Sequence, residues 1–178
     1  MDRPFNLLDV SQENIQEMLK NLPNLYSFMD KVTALTGEDR PGVVMFKTDM
    51  HRLKAINDEL GHDAGDKAIL ATYQALEDSL AAGGQSYAIG RAHGDEFAAM
   101  ILGDRSTAEK VIQTVIRKLN EVDFAALSGD SRTLAIKIGA IAAAPGSYEN
   151  LWHVYDATDA VLMEACKDGK FGWRVVER

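Results

Sequence analysis

The sequence predicts an α+β domain with a ferredoxin-like β-α-β-β-α-β core, in which a central, mostly antiparallel sheet is flanked by helices. Three observations carry this. Apolar runs of strand length occupy 43–50, 86–92, 96–102 and 133–143. Stretches with apolar residues at helical spacing separate the first run from the second and the third from the fourth. Between the second and third only the polar turn at His93-Gly94-Asp95 intervenes, which has room for a hairpin and nothing larger.

In chain order, residues 1–10 read as a short, mixed lead-in. Ser11 is a helix cap for a helix running through Glu13 to about residue 19. Pro23 stands at the start of a second helix, 24–35, with Leu25, Phe28, Met29 and Val32 on one face. Gly37 stops it, 37–42 is a loop, and the first strand is 43–50. One or two helical turns follow at 55–60, ended by Gly61. Asp63 or Gly65 opens a long helix to about residue 82, with Ile69, Leu70, Tyr73, Leu76 and Leu80 as its core stripe. After the hairpin, Ser106 or Thr107 caps a helix at 108–122 with Val111, Val115, Ile116 and Leu119 inside. Residues 123–132 are a loop, 133–143 a strand, and Pro145-Gly146 a turn. A helix over 148–168, broken near Tyr155 and capped by Gly169, leads to a last strand at 171–176. Residues 1–16 form an N-terminal lead-in and helix, and 17–178 one domain.

At 178 residues the chain is long enough for one domain with a proper core. An apolar content of 46% with 26% charged residues is that of a globular chain, not a disordered one. The net charge of −8 argues against a nucleic-acid polymer, which wants a basic surface. It leaves a nucleotide open, because a divalent cation can bridge carboxylate to phosphate. Cys166 is the single cysteine, so there is no internal disulfide and no cysteine-based zinc site. The N-terminus has no secretory pattern, and no apolar run approaches the roughly 18 residues of a membrane span. A cytoplasmic protein is expected.

Asp95 and Glu96 stand side by side at the hairpin, and Asp49 lies at the end of the first strand. Adjacent acids either face water or hold a cation between them. The predicted core is also that of nucleotidyl-transferase palm domains, and it sets the end of the first strand beside the hairpin. Three carboxylates there make an oxygen-rich site of the kind magnesium prefers. The run from Asp49 to Asp66, DMHRLKAINDELGHDAGD, is dense in polar side chains between a strand and a helix, where such folds bind ligands. Peptide N–H groups after Asp49 can hold phosphate oxygens. Asn57 and Asp66 either cap helices or read a base edge, since a carboxylate accepts the N1–H and N2–H₂ of guanine together.

These stretches resemble the GGDEF family of bacterial diguanylate cyclases. Asp49 followed by Leu53-Lys54-Ala55-Ile56-Asn57-Asp58 stands where the family has D-x-(D/N)-x-(F/L)-K-x-x-N-D. Gly61-His62-Asp63-Ala64-Gly65-Asp66 matches GHxxGD, and Arg91-Ala92-His93-Gly94-Asp95-Glu96-Phe97 matches RxGGDEF apart from its first glycine. The resemblance covers about 17–178. It includes Leu22-Pro23-Asn24 as a faint form of the opening motif and 159–169 as the C-terminal D-x-A-L-Y-x-A-K-x-x-G-R segment.

The resemblance implies an enzyme that joins two GTP into cyclic di-GMP and two pyrophosphates at a site between two facing subunits of a homodimer. Asp49, the carbonyl of Met50, Asp95 and Glu96 would hold magnesium, or manganese in its place. Asp95 and Glu96 would divide metal binding and activation of the attacking 3′-hydroxyl. Asn57 and Asp66 would hold guanine. His51, Arg52, Leu53, Lys54, His93, Gly94 and Lys170 would lie along the phosphates and ribose. A separate sensor domain or protein would supply the input.

The departures are specific. The imidazole of His93, at the first signature glycine, either crowds the base and ribose or turns to solvent. Cys166 stands where the family has a phosphate-contacting lysine, with Lys167 adjacent and Lys170 at the position of a nearby arginine. Met163 replaces a tyrosine, and Asn21 and Leu25 depart from the opening motif. Residues 84–87 lack the RxxD pair of the family's product-inhibition site, so no inhibition is expected there. Two other functions stay open. One is a GGDEF-like domain that binds GTP or another nucleotide without turnover and acts through a partner. The other is a cyclase with altered base choice, against which Asp66 argues because a carboxylate cannot accept from the unprotonated N1 of adenine. His62 reads as a loop-ordering residue, and Trp152 and Trp173 as packing residues.

Overall fold

The computed structural model describes residues 10–178. The lead-in expected over residues 1–10 therefore lies almost wholly outside the described residues. In chain order the elements are α1 (Gln12–Asn21), α2 (Leu25–Thr36), β1 (Val43–Met50), α3 (Leu53–Leu60), α4 (His62–Ala82), β2 (Tyr87–His93), β3 (Glu96–Leu102), α5 (Arg105–Glu121), α6 (Phe124–Ser128), β4 (Ile136–Ala143), α7 (Leu151–Ala165) and β5 (Trp173–Glu177). They build one five-stranded sheet of order β2-β3-β1-β4-β5, in which only β4 and β5 run parallel. The expected mostly antiparallel sheet with flanking helices is what forms.

Both faces of the sheet are covered, which is why its central strands are apolar almost throughout instead of alternating. Val44, Phe46 and Met50 of β1 pack with Ile69, Tyr73 and Leu76 of α4 and Ile112 and Val115 of α5. Val43 and Met45 face the other way, toward Phe28, Met29 and Val32 of α2 and Val154, Tyr155 and Val161 of α7. Helix α1 crosses the predicted boundary at 16–17 and buries Ile15 and Leu19 in the first of these cores.

Several boundaries differ from expectation for local reasons. Helix α3 begins at Leu53, earlier than predicted, because Arg52 adopts a left-handed conformation (φ 64°) that turns the chain directly into it. Gly61 both ends α3 and opens α4, so α4 starts at His62 and not at Asp63 or Gly65. Asp104, not Ser106 or Thr107, caps α5, accepting from the Thr107 N–H at 2.9 Å. Inside the predicted 123–132 loop lies α6, too short to show a helical period and held by buried Phe124 and Leu127. Strand β4 starts at Ile136 and not at residue 133. Helix α7 is capped by Asn150, continues unbroken through Tyr155, and ends at Ala165 with Cys166, not Gly169, as its cap. Strand β5 runs slightly later than expected. Among the described residues, no helix is long and apolar enough to cross a membrane.

Candidate active site

The antiparallel register sets Asp49 of β1 directly opposite Glu96 of β3 and, on its other side, Lys137 of β4. Directly opposed residues share a face, so these three side chains form a row across the sheet end, with Asp95 in the adjoining turn. Burial raises the acid of Asp49 to about 6, helped by the charges of Asp95 and Glu96 and opposed by Lys137. The carboxylates thus repel one another, and a cation among them would relieve this. Among the described residues, no three His, Cys, Asp or Glu side chains form a ready metal cage. The acids instead make an open, all-oxygen edge, which fits magnesium, an ion that keeps waters and substrate phosphates in its shell. Met50 buries its side chain, so only its main chain is free for such a role.

Just past Asp49 along the chain, a cleft of about 490 Å³ is lined in part by Met50, His51, Arg52 and Lys170, with none of the three acids in its lining. One wall carries Arg132, paired with Asp130 and Glu59. The imidazole of His51 is pushed below its ordinary range by burial and by the charges of Lys137, Arg52 and Lys170. That convergence of cations favours an anion. Leu53 is buried, leaving only its backbone to face a ligand, and Lys54 is exposed outside the cleft lining.

Lys137 is one residue that sequence reasoning misses. It is 5% exposed, and its Nζ donates to the main-chain oxygens of Asp168 and Gly169. It therefore ties the turn that precedes Lys170 to the strand beside Asp49. The available signal was a lone charge inside the apolar strand IKIGAIAA. Burial and Asp49 push the Cys166 thiol up, so it stays neutral and adds no charge here.

The residues read as base contacts lie on the α3–α4 hairpin, and neither caps a helix: Asn57 is inside α3, and Asp66 is inside α4 beyond its Gly61 cap. Gly65 is what lets them approach. A Cβ on residue 65 would lie 1.8 Å from Asn57 Oδ1. Asp66 is half-buried, and burial raises its acid against the opposing pull of Arg91. Gln12 donates to Asp66 Oδ2 at 3.2 Å, and Gln16 donates to the same oxygen. Neither glutamine belongs to a recognisable local pattern in the sequence.

Arg91 links the two halves of the site, with Asp66 and Asp95 both acting on its charge. Its Nε donates to the Gly94 carbonyl at 2.8 Å, bracing the signature turn. Its backbone N–H donates to the Pro23 carbonyl at 2.7 Å. Gly90 permits that approach, because a Cβ there would meet Phe28 Cβ at 2.7 Å. His93 is exposed at the end of β2, paired with Glu96 just past a bulge at Arg91–His93, and Gly94 has φ 41°. Trp173 packs partly buried against the core, while Trp152 is 39% exposed with its edge on Tyr155.

Residues 16–171 match the sequence family described as "Diguanylate cyclase, GGDEF domain". An uncharacterised protein of Mycobacterium tuberculosis is 34% identical over 132 residues, 73% of this chain and 20% of that protein. The probable diguanylate cyclase DgcC of Escherichia coli is 34% identical over 124 residues, 68% of this chain and 32% of DgcC. The chain thus spans a third or less of the length of these relatives. Among solved structures, the GGDEF domain of YfiN from Pseudomonas aeruginosa superposes with a TM-score of 0.74 at 22% identity, covering 89% of this chain and 98% of that one. At that identity the likeness speaks for the fold.

Proposed function

This chain belongs to the diguanylate cyclase GGDEF domain family, and from that premise we propose that it condenses two GTP into cyclic di-GMP and two pyrophosphates as a homodimer in the cytoplasm. The observation that carries the proposal is the facing pair Asp49 and Glu96, with Asp95 adjacent, next to a cleft rimmed by His51, Arg52 and Lys170. Acids for a metal and cations for a triphosphate stand side by side.

Each subunit holds one GTP. Asn57 and Asp66 take the guanine, while His51, Arg52, Lys54, Lys170 and the Leu53 backbone lie along the phosphates. Asp49, the Met50 carbonyl, Asp95 and Glu96 would hold magnesium, which when bound would supply positive charge against the triphosphate and the leaving pyrophosphate. Asp95 and Glu96 face the 3′-hydroxyl brought by the other subunit, and a carboxylate of this pair accepts its proton. The oxygen bonds to the α-phosphorus as the α–β phosphoanhydride bond breaks, and pyrophosphate carries away the electron pair. The same exchange in the opposite direction closes the ring. Gly94 has no Cβ to hold the substrate off.

Incubation of the purified chain with labelled GTP and magnesium, followed by chromatography, tests this. Cyclic di-GMP is expected, and it is lost in Asp95→Ala and on chelation of the metal. A second reading, nucleotide binding without turnover, is favoured by the neutral thiol of Cys166 beside Asp49 and Lys137. GTP binding with no product, at concentrations that allow dimers, would establish that reading instead.

A further inference from the structure

We propose that helix α1 latches the base site: Gln12 and Gln16 occupy the Asp66 carboxylate and must release it before guanine binds. The inference rests on the reading of Asp66 as the guanine contact and adds the competitor for it. Gln12 and Gln16 are one helical turn apart, so they share the face of α1 that meets α4. Buried Ile15 and Leu19 dock α1, which fixes the reach of both amides.

Both amides donate to one oxygen, Oδ2 of Asp66. A carboxylate oxygen offers two lone-pair sites, and the two amides take both. The N1–H and N2–H₂ edge of guanine needs both oxygens of the same carboxylate. Guanine and the glutamine pair therefore cannot be satisfied together. Asp66 also lies between Arg91, which holds it charged, and Asp63, which repels it, with His62 nearby. Without a base in place, the glutamines supply the hydrogen bonds that a half-buried carboxylate requires.

The latch is built to open. Gln16 is exposed, so its amide passes to water at small cost. Gln12 leaves its Oε1 buried without a partner among the described residues, so turning away from Asp66 also relieves an unsatisfied acceptor. A shift of α1 against α4 that lengthens both contacts would act as nucleotide-free release. GTP affinity is thus set in part by where α1 sits.

The test uses the whole chain and a GTP analogue with a methylene between its α- and β-phosphorus, so that no turnover intervenes. With magnesium present, calorimetry on Gln12→Ala/Gln16→Ala is expected to give binding roughly five- to fiftyfold tighter than the unaltered chain, the range of one or two exchanged hydrogen bonds. Gln16→Ala alone, a change at an exposed position, gives a smaller shift in the same direction. Unchanged or weaker binding by the double variant overturns the latch even if the unaltered chain binds and cyclises GTP. Failure of every form to bind overturns the base-site reading and the latch with it. A readout without nucleotide separates the two: the Asp66 carboxyl resonance is expected to titrate at higher pH in the double variant. An unmoved titration means the glutamines do not hold Asp66.

Discussion

The carboxamide oxygen of Asn57 lies 1.8 Å from where a Cβ on residue 65 would be, so the Asn57 side chain keeps its present place between α3 and α4 only with glycine there. Gly65→Ala is expected to force the Asn57 side chain aside. Loss of one base contact should raise the Kd for GTP by about tenfold or more, an effect of roughly 1–3 kcal/mol. Binding calorimetry checks this, with circular dichroism to confirm that α3 and α4 persist.

Asp49 gives a stability effect with a definite sign. Its acid titrates near 6 in the folded chain against 3.8 in the unfolded one, so the native state holds the proton more tightly. The destabilisation is absent below 3.8, grows as pH rises to about 6, and is constant above that. Asp49→Asn is therefore expected to stabilise the metal-free chain near pH 8 by about 1 kcal/mol, a value discounted for partial solvent exposure. The gain should vanish below the unfolded value. Thermal melts in chelator at several pH values test it, and a gain that is independent of pH would contradict the assignment.

Lys137 should be costly to remove. Lys137→Met leaves the carbonyls of Asp168 and Gly169 without their buried donor. Loss of a charged, buried hydrogen-bonding group points to about 2–4 kcal/mol of destabilisation in urea titrations. Because the same contact holds the turn before Lys170, the surviving folded protein is expected to bind triphosphate more weakly.

His93 should matter little. Its side chain is exposed at the end of β2, where water can take it up. His93→Gly is expected to change the KM for GTP by no more than about threefold, the scale of an ordinary surface substitution. A larger gain in affinity would mean that the imidazole crowds the substrate.

Much of the candidate site is legible because its residues sit in short, contiguous motifs. The strand-ending Asp49, the Asp95-Glu96 pair and the 49–66 polar run each announce themselves by local pattern. Helix ends were less legible where several residues could cap: Asp104 prevailed over Ser106 and Thr107 because its side chain reaches the Thr107 N–H in the observed backbone. Helix α6 escaped because its five residues are fewer than two helical turns.

The sequence by itself determined the strand order, the order of every helix but α6, and the candidate acids and base-reading pair, since alternation, helical spacing and motif order are properties of neighbours along the chain. Only the tertiary structure decided what surrounds them. Gln12 meets Asp66 across 54 residues, and Lys137 reaches the Asp168 carbonyl across 31. No local pattern encodes such contacts. They exist because α1 docks on α4 and because α7 and β5 pack against β4, and packing of the whole core fixes both.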